Sequence, residues 1–109
     1  MPATPRMTIP TQQVIRALLS EPTAELYGTQ IGLAAGLMSG TVHPILARLE
    51  ALGWVSSRWE EIDPTVEGRP ARRYYQITTD GAQQATAELA RVRSPQPGRL
   101  APRPLPDPS

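Results

Sequence analysis

The stretch Ser39-Gly-Thr-Val-His-Pro-Ile-Leu-Ala-Arg-Leu-Glu-Ala-Leu-Gly53 constrains this chain more than any other. Val42, Ile45, Leu46, Leu49 and Leu52 recur at helical spacing and give one helix a single apolar face. Ser39 suits its N-cap, because a hydroxyl there accepts a bond from an orphan backbone N–H. Gly53 suits the left-handed residue past the C-terminus. At about 100° per residue, the opposite face presents Gly40, His43, Pro44, Ala47 and Ala51, flanked by Thr41 and Arg48. These side chains are small or hydrogen-bonding, unlike the Glu/Lys mixture of a merely solvated surface. A helix slim on its outer side, polar near its N-terminus and carrying Arg one turn on has the shape and chemistry to enter a DNA major groove. Outward Ala residues are also good helix formers, so a solvated amphipathic helix is the alternative reading of this segment taken alone.

The flanking segments supply the rest of a small domain. Residues 1–7, with Pro2 and Pro5, read as a flexible arm, since X-Pro disfavours helix at the preceding position. Ile9, Val14, Ile15, Leu18 and Leu19 give a first helix over 8–20, with Thr8 as its cap and Pro10 tolerated in the first turn. Leu26-Tyr27-Gly28 leads into a second, short helix that Gly36 ends. Gly28 and Gly32 share one of its faces and permit a close approach by another element. Only Leu37-Met38 separates it from Ser39, and two helices joined by so tight a turn make a helix-turn-helix.

After Gly53 the period changes from helical to alternating. Trp54–Glu60 reads as a half-buried strand with Val55 and Trp59 on one side, and Ser56 and Arg58 on the other. A turn containing Asp63-Pro64 and Gly68 follows, then a second strand over Arg72–Thr78. Strand, long turn and strand make a two-stranded wing. Its Arg69, Arg72 and Arg73 form the densest basic cluster in the chain, suited to a phosphate backbone. Glu60, Glu61, Asp63 and Glu67 lie close by in sequence, and pairing with them would instead leave a neutral, solvated hairpin. Tyr74 and Tyr75 fit core and hairpin packing.

Thr78-Thr-Asp-Gly81 offers caps for a last helix over 79–93, where Ala82, Ala85, Leu89 and Val92 form a narrow apolar seam. It is expected to serve as a dimerisation helix. Residues 94–109, with Pro at 95, 97, 102, 104, 106 and 108, are expected to be a disordered tail. The fold class is therefore mainly α with a two-stranded β wing, a winged helix-turn-helix at 8–78 plus a C-terminal dimerisation helix.

At 109 residues the chain is one small domain. No stretch approaches the roughly 20 apolar residues of a membrane span, and no secretory signal is visible, so a cytoplasmic location is expected. The net charge of +1 does not by itself announce a nucleic-acid binder, and where the charges lie matters more. An enzyme is disfavoured: His43 is the only His, Cys is absent, and no phosphate-cradling Gly loop or acid pair with a credible base appears. Neither a cofactor nor a metal is expected. A winged helix that binds protein is the rival, because fold does not fix function.

Leu26-Tyr27-Gly28, the run Ser39 to Glu50, Gly53-Trp54-Val55 and Gly68-Arg-Pro-Ala-Arg-Arg-Tyr-Tyr75 stand in an order and spacing that resembles the PadR-like transcriptional regulators. The resemblance spans roughly residues 8 to 90. It implies a winged helix-turn-helix, a homodimer on pseudo-palindromic double-stranded DNA, and usually repression, sometimes relieved by a small ligand. Nothing in this sequence indicates such an effector. By position, the resemblance puts Ser39, Gly40, Thr41, His43 and Pro44 in the recognition helix and Arg69, Arg72 and Arg73 in the wing. Many members of the family carry Tyr at the place of His43, and the larger members carry a long C-terminal helical domain where this chain has one short helix.

Overall fold

Residues 4–93 are described by the computed structural model. In chain order they form α1 (Ile9–Ser20), β1 (Leu26–Tyr27), α2 (Gly28–Ala35), α3 (Ser39–Ala51), β2 (Val55–Trp59), α4 (Pro64–Glu67), β3 (Arg73–Ile77) and α5 (Thr79–Arg93). The fold is a winged helix-turn-helix, mostly helical with one small antiparallel sheet.

α1 starts where Thr8 accepts a hydrogen bond from the Thr11 N–H at 3.3 Å. Pro10 sits in the first turn, where its missing N–H costs nothing. Val14, Ile15 and Leu18 are buried, but Ile9 is 65% exposed, against expectation. Five residues before Val14 and nine before Leu18, it lies roughly 140° and 180° around the helix from them. The described part of the N-terminal arm is also docked and not loose. Pro5 is buried, Met7 packs against the core, and the Gln12 side-chain amide donates to the Met7 carbonyl at 2.7 Å.

The turn between α2 and α3 is set by two glycines. Gly36 takes φ +73°, a left-handed value that suits glycine, and the Leu37 N–H returns to the Gly32 carbonyl at 2.9 Å. A Cβ on Gly32 would stand 2.8 Å from the Leu37 carbonyl oxygen, so only glycine permits this approach. The N-cap of α3 is Met38, not Ser39: the Met38 carbonyl already takes the Thr41 and Val42 N–H groups, which makes Ser39 the first helical residue. At the other end the Trp54 N–H closes back to the Leu49 carbonyl at 3.0 Å while Gly53 adopts φ +80°.

Val42, Ile45, Leu46 and Leu49 face a core that also takes Ile31, Trp54, Val55, Tyr75 and Ile77. Trp54 is 1% exposed, and its indole N–H finds no acceptor among the described residues. That deficit of about 1–3 kcal/mol is one its large buried surface must exceed.

The two-stranded wing, β2 and β3, is present as expected, and the two-residue β1 adds a third strand, giving a sheet in the order β1-β3-β2. β1 pairs antiparallel with β3, Leu26 opposite Tyr75 and Tyr27 opposite Tyr74. β2 pairs with the other edge of β3, from Val55 opposite Ile77 to Trp59 opposite Arg73. Tyr75 and Ile77 point into the core, which puts Tyr74 and Gln76 on the outer face. Burial on β2 ends with Val55. Trp59 is 58% exposed rather than inward, because β2 runs out into the wing beyond the helical layer. The connecting turn contains the short α4, capped by the Asp63 side chain and ended by left-handed Gly68.

The α5 helix lies back on the domain. Thr78 caps it, accepting from the Gly81 N–H at 2.8 Å. Ala85 and Leu89 are 0% and 6% exposed within this single chain, Ala82 is partly buried, and only Val92, at 47%, is open. The seam expected to face a second copy is thus largely occupied by the domain's own core, because α5 packs beside α1. The expected tail at 94–109 lies outside the described residues.

Two helical glycines should respond oppositely to alanine. Propensity alone favours Ala by about 1 kcal/mol at either position. A Cβ on Gly81 would stand 2.6 Å from the Trp54 Cα, against backbone that cannot rotate away, whereas one on Gly40 would meet nothing within 4 Å. Gly81→Ala is expected to lose about 1–3 kcal/mol in urea unfolding and Gly40→Ala to gain up to about 1.

Candidate nucleic-acid interface

The buried stripe of α3 turns Ser39, Gly40, Thr41, His43, Pro44, Ala47 and Arg48 outward, and each is exposed. Within α3 the sole carboxylate, Glu50, stands about two turns past His43 towards the C-terminal end, where it accepts from the Ser57 hydroxyl and approaches the Arg73 guanidinium at 3.6 Å. From Ser39 to Arg48 the outward surface is therefore slim, polar and free of carboxylates. Arg48 takes part in no ion pair among the described residues. The His43 ring lies over the first residue of α2, where a Cβ on Gly28 would come within 2.8 Å of its Cε1 atom. The shared glycine face anticipated on α2 thus receives His43 at Gly28 and the interhelical turn at Gly32.

The three wing arginines, one cluster in sequence, have separate surroundings in the fold. Arg69 is clamped by Glu60 through two parallel N–H···O bonds of 2.7 and 2.9 Å. Arg73 donates to the Ser57 hydroxyl at 3.1 Å, approaches Glu50, and lies over the Trp59 ring at 5.1 Å. Arg72 has no carboxylate within ion-pair distance among the described residues, and its guanidinium carbon lies 4.4 Å from the centre of the Tyr27 ring. Pairing with nearby acids, the alternative reading of the hairpin, thus holds for Arg69, and for Arg73 through an acid on α3. On the outer sheet face Tyr27 meets Tyr74 edge to face at 5.8 Å, and Arg58 caps Tyr74 while binding Glu25 through two N–H···O bonds. Sequence alone does not single out Tyr27 as part of the site. A tyrosine ahead of a helix carries no sign of the arginine that will stack on it.

Among the described residues, no group of His, Cys, Asp and Glu is arranged to hold a metal ion, and no helix is long and apolar enough to cross a membrane.

Hydrogen bonds from Arg69, and to a lesser degree from the Arg72 backbone N–H, hold the Glu60 carboxyl down at about 2, well below its ordinary 4.5. A carboxyl lowered in the folded state stabilises the fold above its unfolded value and gives that stability up as pH falls through the folded value. The melting temperature should therefore drop between about pH 4.5 and about pH 2, and Glu60→Gln should drop less steeply across that window. Parallel slopes for parent and variant in thermal melts would mean that the pair adds nothing to stability.

Residues 21–87 match the transcriptional regulator PadR-like family. Among solved structures, the chain is similar to a PadR-like transcription factor of Bacteroides fragilis, at 24% identity and a TM-score of 0.60, over 76% of this chain and 79% of that one. It is also similar to MepR of Staphylococcus aureus, both as a mutant from a multidrug-resistant clinical isolate (20% identity, TM-score 0.60, 75% of this chain) and in complex with DNA (19%, 0.59, 76%). The chain spans 55% and 62% of those two MepR chains. A third relative is BpsR of Bordetella bronchiseptica, at 18% identity and a TM-score of 0.61, over 81% of this chain and 61% of that one. No curated protein matches the chain. With the family covering most of the described residues, the chain is a member of the PadR-like transcriptional regulators.

Proposed function

We propose that this protein is a homodimeric repressor that reads a pseudo-palindromic operator, with α3 in the major groove and the wing on the backbone. The observation that carries the reading is the outward face of α3, where the outward positions from Ser39 to Arg48 expose no carboxylate and little bulk. Thr41, His43 and Arg48 supply hydrogen-bonding groups for base edges or phosphate, and Ala47 lets the helix approach closely. The MepR–DNA complex supports the same use of a similar fold in another protein. No step of this function needs a cofactor, and nothing in the site suggests enzymatic chemistry.

Selection of bound fragments from random double-stranded DNA tests the reading directly. Enrichment of one pseudo-palindrome is expected, and a pool with no enriched sequence would favour a protein-binding winged helix. Within that assay Ala47→Glu adds bulk and negative charge at an exposed position. It should lower affinity by about a hundredfold or more, several kcal/mol, with little effect on melting. Ala51→Glu, farther from the DNA-proximal end, should do less.

A single module covers one half-site, whereas two-fold dimers read half-sites about one helical turn, roughly 34–36 Å, apart. Of the seam on α5, Val92 is the member left open. Leu89→Glu would bury a charge in the core and unfold the domain. Val92→Glu should leave the fold intact and shift the sedimenting species from dimer to monomer. A parent that sediments as a monomer, or a Val92→Glu protein that stays dimeric, would exclude this end of α5 as the interface.

A further inference from the structure

We propose that Tyr27 is a positioning residue for DNA binding: its ring holds Arg72 as the wing's phosphate contact. This proposal rests on the DNA-binding reading above and separates the three wing arginines by what already occupies their N–H groups. Arg69 has two of its N–H donors on Glu60, at 2.7 and 2.9 Å. To reach a phosphate it would leave that carboxylate unpaired and facing the DNA, which offsets the gain. Arg73 is bound to Ser57 and lies beside Glu50 at the C-terminal end of α3, so it ties the sheet to the recognition helix. Arg72 is held differently. Its guanidinium carbon lies over the Tyr27 ring, 4.4 Å from the centre, and its side-chain N–H donors make no hydrogen bond among the described residues, so they remain available for an anion.

The ring that holds Arg72 is itself fixed. Tyr27 lies directly across the sheet from Tyr74, which meets it edge to face, and the Gln30 side chain accepts from the Tyr27 N–H at 3.0 Å. Tyr27 also immediately precedes α2, the first helix of the helix-turn-helix. The cation of the wing is therefore referenced to the same element that receives His43 of α3. A phosphate contact so placed keeps a fixed distance from the recognition helix even where the wing turn is exposed.

Titrations at several salt concentrations on the selected DNA, with melting curves for every variant, test this. Arg72→Ala should flatten the slope of log affinity against log salt by about 1, and Arg69→Ala should leave it unchanged. Tyr27→Leu keeps apolar volume and loses the π face. It should weaken binding roughly two- to fivefold, and Tyr27→Phe should bind as the parent does. Combined with Arg72→Ala, Tyr27→Leu should add no further loss. Arg72→Lys keeps the charge without the planar fork of donors and should also weaken binding several-fold, which preserves the test if Tyr27→Leu fails to fold. An unchanged salt slope in Arg72→Ala, full affinity in Arg72→Lys, or additive losses in the double variant would each overturn the proposal. Failure of the DNA-binding reading would show separately, as a parent that enriches no sequence.

Discussion

The burial of four side chains on one stripe of α3 is the constraint on which the rest of the structure depends. Val42, Ile45, Leu46 and Leu49 are each less than a tenth exposed, and at about 1.5–3 kcal/mol apiece their removal from water outweighs what opposes the helix. The chief opponent is Pro44. It lacks the N–H that would bond the Gly40 carbonyl, a defect costing about 3 kcal/mol in a helix interior, yet α3 runs unbroken through it. Once that stripe faces inward, rotation of the helix about its axis is settled, and the opposite face must be the outward one. The close turn at Gly32 and Leu37 then sets where α2 lies against it.

Charge on this domain is arranged locally, not in bulk. A net charge of +1 comes from nearly equal numbers of arginines and carboxylates, and the ion pairs among the described residues are specific: Arg58 with Glu25, Arg69 with Glu60, Arg73 with Glu50 and Arg91 with Glu88. Pairs of this kind at a surface contribute little to stability, with a median of about 0–1 kcal/mol. Their larger consequence is which cations remain open to an outside anion. The guanidinium groups of Arg48 on α3 and Arg72 in the wing stand without an ion pair among the described residues. The electrostatic footprint is thus a small number of placed guanidinium groups, for which affinity should be correspondingly sensitive to each.

Sequence patterns disclose the longer helices and the turn between α2 and α3, because helices of eight residues or more carry an apolar period and glycines mark their ends. They do not disclose β1, since two residues are too few to show alternation, and Leu26 and Tyr27 become a strand only by pairing with β3. The four residues of α4 are hidden for the same reason, although Asp63, Pro64 and Gly68 carry its capping signals. The seam on α5 shows a different limit. Periodicity at Ala82, Ala85 and Leu89 says that one face is covered and is silent on whether the cover is α1 or a second chain. For the candidate site, the outward residues of α3 are readable from one helix alone. The division of labour among Arg69, Arg72 and Arg73 is not: Glu60 is one of four nearby carboxylates that any of the three could pair with, and Glu50 and Tyr27 stand far off in sequence and meet Arg73 and Arg72 only in the folded chain.

The contact between His43 and Gly28 joins α3 to the start of α2. An imidazole on an exposed helix face ordinarily samples several rotamers, and ordering it at a DNA surface would cost conformational entropy. Here the ring rests so close to Gly28 that a Cβ there would come within 2.8 Å of it, so the absence of a side chain on α2 makes a seat for the side chain on α3. Gly28 directly follows Tyr27, whose ring carries Arg72. The dipeptide Tyr27-Gly28, where β1 meets α2, therefore carries a cation of the wing on its first residue and seats His43 of α3 on its second. Two surfaces distant in sequence are in this way indexed to the same short segment, which restricts how far either can move relative to the other.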